Sequence, residues 1–316
     1  MRRTVFIITS LVIGTLILCA FFLGYDLPTN WQYAFERRGL KIIAIVLVSC
    51  AVAFSSITFQ TLTSNRILTP SIMGFEAVYL LFQTLLIFLY GTKSFDHVNS
   101  LENFFFSILL MLGFAFALFY FIFKKGKNNI FRLLLIGLVL GTLFHTISSF
   151  LQLIIDPNEF LMLQGTMYAT FNDINFSLLW YALVVLVVCF VVSAPKLKLL
   201  NVILLGRENA INLGVDYFKT VRFFLFVIAI MVSVSTALVG PIIFLGLLVS
   251  NLTYELLKEY KHQILIPACS LICIISILVA QFMVENIFNF NASISIIINF
   301  IGGIYFMYLL LKTNKL

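Results

Sequence analysis

Two ionisable side chains, Glu76 and His145, fall inside otherwise apolar runs and decide what chemistry the chain could carry. A carboxylate or imidazole in hydrocarbon is costly, so such groups ordinarily mark an ion path. Glu76 stands about one turn inside its run, where structural pairing is the simpler role. His145 is followed by Thr146, Ser148 and Ser149, which favours a neutral imidazole hydrogen-bonded within a helix bundle over a proton relay. Two isolated groups are thin support for proton- or sodium-coupled transport. Enzyme chemistry has less: there is no H-E-x-x-H, no G-x-S-x-G and no usefully spaced carboxylate pair within a run. A G-x-x-x-x-G-K-[ST] motif is also missing, so any ATP-derived power must come from a partner. Cys269 and Cys273 have i, i+4 spacing, but no His or carboxylate flanks them. With Cys19, Cys50 and Cys189 they read as small buried side chains, and no metal or cofactor is expected.

Two polar stretches remain. In "FQTLTSNRILTPSIMGF", Gln60, Asn65 and Pro70 recur every five residues and Gly74 follows. Pro70 fits the first turn of a new helix, where its missing N–H costs nothing. The stretch is either a tight turn or a constriction on a translocation path, with Gln60, Asn65 and Ile67 as its gate. In "LLGRENAINLGVDYFKTVRF", Gly206 and Gly214 bracket a short helical segment with Glu208 near its start. An acidic first turn suits the helix dipole, and Gly214 suits a C-terminal cap. Ala210 and Leu213 lie i, i+3 as a narrow apolar stripe. A helix this short is marginal alone in water, so it needs a surface to dock on.

The elements that must position these residues are membrane helices. The 316 residues are 62% hydrophobic and 10% charged, with a mean hydropathy of +1.09; a soluble domain carries about 25% charged residues. The fold class is therefore all-α and polytopic, one transmembrane domain over 1–316 with a polar segment at about 195–222. Runs of about 20 apolar residues give ten spans near 4–24, 41–60, 70–90, 103–123, 130–154, 176–194, 223–239, 241–257, 263–284 and 294–311. The stretch 223–257 could also be one span broken at Gly240-Pro241, where a donor is lost and a turn is tolerated. The first run is too long for an ordinary signal peptide and no A-x-A site follows, so it reads as an uncleaved helix.

The net charge of +7 is not gathered into one basic face, which argues against nucleic acid. Placing both termini in the cytoplasm puts all basic residues on the inside except Arg37, Arg38, Lys41 and Lys93, as the positive-inside rule requires. The outer side then holds Asp26, Glu36, Asp96, Glu102, Asp156, Glu159, Asp173 and Glu285. The outer loop "DPNEFLMLQGTMYATFNDINF" mixes apolar and polar residues, as a short interfacial helix would.

Over about residues 35–311 the chain resembles the FecCD-type permease subunits of type II ABC importers, which take up iron–siderophore complexes, haem or vitamin B12. The family's Q-x4-N-P-L-A-x-P-x-x-x-G corresponds to Gln60, Asn65, Pro70 and Gly74, with Arg66 replacing the first proline. Its L-G-E-E-x-A-x-x-L-G-V is similar to "LGRENAINLGV", and G-P-I-x-F-x-G-L is intact at Gly240–Leu247. "RLLLIGLVLGTLF" and "GGIYFMYLL" resemble two further family motifs, and Arg38-Gly39-Leu40-Lys41 loosely matches R-L-P-R. The resemblance implies ten helices, a second permease subunit, two cytoplasmic ATPases and an external siderophore-binding protein. It implies that Gly206, Arg207, Glu208, Ala210, Leu213 and Gly214 meet the ATPase, and that Arg38 and Lys41 meet the binding protein. "NRILTPSIMG" is most similar to permeases for catecholate-type or petrobactin-like siderophores that work as heterodimers. Departures fall at Ser250, Asn251 and Tyr254, where the family continues P-H-x-x-R, and at Glu285, which stands at a family arginine. Haem or cobalamin as cargo stays open, as does a self-contained ion-coupled carrier.

Overall fold

The computed structural model describes residues 2–26, 31–91, 99–123, 130–172 and 174–313. Lys93, Lys124, Lys125, Lys127, Lys315, Asp96 and Asp173, which enter the charge asymmetry above, lie outside the described residues. The helices run α1 (Arg2–Gly24), α2 (Trp31–Thr63), α3 (Phe75–Tyr90), α4 (Ser100–Phe123), α5 (Ile130–Ile154), α6 (Pro157–Met167) and α7 (Phe176–Ser193). They continue as α8 (Leu197–Ile203), α9 (Arg207–Asn212), α10 (Tyr217–Val239), α11 (Leu245–Leu257), α12 (His262–Asn286) and α13 (Ile294–Thr313). Each of the ten expected spans is a helix. Seven are long and apolar enough to cross a bilayer unaided, and α3, α11 and α13 are shorter apolar helices.

The order of burial explains the arrangement. In α2, α10 and α12, 67%, 61% and 61% of the apolar window is buried, against 11% for α1 and 22% for α5. The first three form the centre, α2 packing on both α12 and α10, while α1 lies outside against α12. α2 has 33 residues, about 50 Å at 1.5 Å per residue, so it outruns a hydrocarbon core of about 30 Å. Its buried hydroxyls turn back on their own helix: Ser55 donates to the Ala51 carbonyl at 2.6 Å and Thr61 to that of Ile57 at 3.0 Å. Such bonding lets small polar residues sit at helix contacts without stranding a donor.

Two breaks are set by glycine. Gly74, at φ +84°, closes the 3-10 turn Pro70–Met73 and opens α3. A Cβ there would lie 3.0 Å from both the Gly137 carbonyl oxygen and Gly141 Cα, so α5 approaches this turn backbone to backbone. Gly240, at φ +93°, ends α10, and α11 resumes only at Leu245. The stretch 223–257 is therefore two helices. Their exposed backbone groups are satisfied by a distant loop: Thr170 N–H donates to the Val239 carbonyl at 2.9 Å, and Ser295 Oγ bridges Ala169 N–H (2.8 Å) to the Pro241 carbonyl (3.0 Å). Non-helical backbone at such depth requires partners of this kind. The expected helix in the outer loop is α6, capped by Asp156, whose carboxylate accepts from Asn158 N–H at 2.9 Å.

Candidate functional site: two ends and a cavity

The helix ends gather at two poles. At one, Thr4 Oγ1 donates to Glu259 at 3.1 Å, and the C-terminus of α2 meets the head of α12. At the other, the end of α1 meets the first turns of α2 and the end of α12.

The first pole carries α9. Gly206 precedes it at φ +96° and Gly214 follows at φ +81°. Gly214 N–H donates to the Ile211 carbonyl at 2.9 Å and Val215 N–H to that of Ala210 at 3.0 Å, the paired bonds of a Schellman ending. Glu208 lies in the first turn, and Arg207 stacks 4.9 Å over the Phe218 ring, tying α9 to the head of α10. The stripe expected of Ala210 and Leu213 does not form, because the rest of the chain covers one of them and not the other. Ala210 is fully buried within the chain, while Leu213 is 63% exposed. The exposed apolar side chains here are Leu204, Leu205, Ile211 and Leu213.

Just before α9, α8 is fastened by a histidine that sequence reading passed over. His262 is buried at the head of α12; its N–H and Nδ1 lie 3.0 and 2.7 Å from Asn201 Oδ1, and its Nε2 lies 2.7 Å from Thr61 Oγ1. Asn201 Oδ1 only accepts, so Nδ1 carries a proton. The sole sequence signal was a histidine opening an apolar run after Lys261. His145, by contrast, is exposed on α5 and meets Ser149 Oγ on its own helix at 3.4 Å. Within this chain His145 bonds on its own helix rather than across the bundle, because α5 turns that face toward an open cavity.

The loop after α2 is held from two sides. Gln60 Nε2 donates to the Arg66 carbonyl and to Ser250 Oγ, both at 2.8 Å. Asn65 N–H donates to the Gln60 carbonyl at 3.1 Å, and Asn65 Oδ1 accepts from Ile67 N–H at 2.9 Å. Ile67 then faces a cavity of about 490 Å³ shared by α3, α5, Phe244 and Phe306, on which Glu76 and His145 also border. Glu76 is buried in the first turn of α3 and accepts from Ser71 Oγ at 2.9 Å. Gln60, Asn65 and Ile67 thus form one unit, with Ile67 as the member that meets open space.

At the second pole the two expected cations are engaged within the chain. Arg38 donates to the last carbonyls of α1, to Phe22 at 3.3 Å, to Leu23 at 3.4 Å and to Tyr25, a favourable placement for a cation at a helix C-terminus. Lys41 pairs with Glu285 at 2.8 Å and donates to Asn172 Oδ1 at 3.0 Å; Gln281 donates to both of the same acceptors. Arg37, beside them, is exposed and stacks 5.1 Å over Tyr33.

Comparison with known proteins decides the class. The FecCD transport family matches residues 4–312. The chain belongs to that family. It is 52% identical over 307 residues, 97% of each chain, to the petrobactin import system permease protein YclO of Bacillus subtilis (strain 168). It is 30% identical over 281 residues, 89% of this chain and 79% of the relative, to the petrobactin import system permease protein FatC of Bacillus anthracis. The fold matches a chain described as part of a metal-chelate type ABC transporter in an inward-facing conformation, with TM-score 0.85 and 24% identity over 98% of this chain and 99% of that one. This FecCD chain is therefore a multi-pass membrane permease of the bacterial cell membrane.

Proposed function

We propose that this chain is one permease subunit of an ATP-driven importer for iron–siderophore complexes of the petrobactin class. The 52% identity to a petrobactin permease over 97% of both chains carries the reading. The α9 pole supports it: a short Schellman-capped helix presents Ile211 and Leu213 to a partner and is fastened through Arg207 to a long buried helix. Gly206, Arg207, Glu208, Leu213 and Gly214 form or shape that docking face toward a separate ATPase, and Ala210 anchors it from inside. The 195–222 segment, the N-terminus and the C-terminus lie on the cytoplasmic side of a single transmembrane domain. Closure of two ATPases moves α9, and α10 with it, so that the path opens alternately outward and inward. A second permease, similar to this chain but different from it, completes the path, with Gln60, Asn65 and Ile67 at the constriction. The extracytoplasmic siderophore-binding protein docks where α2 rises above the membrane; there Arg38 and Lys41 set the shape of the face and Arg37 offers an exposed charge.

Deleting the gene and measuring uptake of radiolabelled iron by whole cells tests the cargo. Ferric petrobactin uptake should be lost and restored by the intact gene, while uptake of haem and ferric hydroxamates continues. Loss of haem uptake with petrobactin uptake intact would overturn the assignment.

A further inference from the structure

Four of the positions at which the chain departs from the family motifs, Arg66, Ser250, Asn251 and Tyr254, meet in space. Arg66 stands where the family motif has proline, and Ser250, Asn251 and Tyr254 stand on α11 where the motif continues P-H-x-x-R. The Arg66 carbonyl accepts from Gln60 Nε2 at 2.8 Å and from Asn251 Nδ2 at 3.0 Å, filling both of its lone pairs. Ser250 Oγ takes the second bond of the same Gln60 amide. The Arg66 guanidinium lies 4.7 Å over the Tyr254 ring. Residues 250, 251 and 254 span little more than one turn of α11, so one face of that helix holds the loop by main chain and side chain together. A proline at position 66 would keep the carbonyl and lose the cation.

We propose that Arg66, Asn251 and Tyr254 are positioning residues that latch the 64–69 loop to α11, so that loop and helix move as one body during transport. The inference rests on the transport reading above. A physical route joins the latch to the docking pole: Asn201 on α8 holds His262, His262 meets Thr61, and Thr61 neighbours Gln60 on α2. Spatial intermediacy alone does not establish coupling, so the deciding quantity is coupling itself.

In proteoliposomes holding the complete complex, iron–siderophore uptake per ATP hydrolysed is compared between wild type and variants. Arg66 is exposed on the single chain, so Arg66→Gln should fold, and subunit recovery of the purified complex is measured beside the ratio. The substitution should lower the ratio about threefold, the factor expected of an exposed cation–π contact. Tyr254→Leu should do the same, Tyr254→Phe should keep the wild-type ratio because the ring remains, and Arg66→Gln/Tyr254→Leu should be no worse than either single change. An unchanged ratio in Arg66→Gln, equal loss in Tyr254→Phe and Tyr254→Leu, or fully additive losses would each overturn the latch. A wild-type complex that shows no ATP-coupled uptake would sink the transport reading instead.

Discussion

Lys41 Nζ sits 2.8 Å from Glu285 Oε1, joining the start of α2 to the end of α12 across 244 residues of sequence. Both side chains are mostly buried, at 15% and 13% exposure, and Asn172 and Gln281 complete the network. Glu285, the one acidic residue at a family arginine position, is thereby an internal counter-ion. It holds the start of α2 and the end of α12, two central helices, together.

Removing one partner of this pair should destabilise more than exchanging the two charges. Lys41→Met alone leaves a partly buried carboxylate without its cation and should cost about 1–3 kcal/mol, between an exposed and a buried pair. Lys41→Glu/Glu285→Lys should recover most of that loss. Thermal unfolding of the purified complex measures it, and additive losses in the swap would show that the contact contributes nothing.

The docking face makes a contrast within one helix. Leu213→Glu alters an exposed side chain and should reduce recovery of the ATPase with the permease at least tenfold while insertion and thermal stability hold. Gly214→Asp should also reduce ATPase recovery with insertion intact, here with some loss of stability, because a side chain at φ +81° strains the turn that ends α9. Ala210→Glu should destabilise the permease itself, since Ala210 is fully buried. Equal behaviour of Leu213→Glu and Ala210→Glu in both pull-down and unfolding would contradict this division.

Glycine contacts supply a third expectation. Gly74→Ala meets the α5 backbone at 3.0 Å and a positive φ, and should cost about 1–3 kcal/mol. Gly113→Ala meets nothing within 4 Å and should be neutral or slightly stabilising in its helix. A smaller drop in unfolding temperature for Gly74→Ala than for Gly113→Ala would refute the close packing of α3 on α5.

Buried polar links are the fourth. Asn201→Leu strands the His262 N–H and Nδ1–H, which should cost about 1–3 kcal/mol for the unsatisfied donors. His145→Leu, on an exposed face with one weak contact, should change stability little. The two unfolding curves, measured side by side, would reverse if His145 were the structural histidine.

These contrasts also mark what could be read from the chain alone. Spans, the Gly240-Pro241 break and the short helix between Gly206 and Gly214 follow from hydropathy and from residues with special backbone freedom, and these are local properties. The face of a short helix is not local: Ala210 and Leu213 read as one stripe, but only Ala210 is covered by the rest of the chain. His262, Asn201 and Thr61 lie 61 and 201 residues apart, so no spacing rule could join them. The same holds for Lys41 with Glu285. Each looked like an isolated surface charge, because the antiparallel packing that brings them together is written in no single segment.

On the proposed function, ATP hydrolysed on a separate chain drives iron–siderophore passage through this permease. Purified permease pair, ATPase and binding protein in sealed proteoliposomes would be loaded with ferric petrobactin outside, and transported iron counted with and without ATP. Uptake should require ATP and the ATPase, persist when ionophores collapse ion gradients, and be lost with Leu213→Glu. Uptake by the permease alone, driven by an ion gradient and indifferent to ATP, would contradict the proposed function.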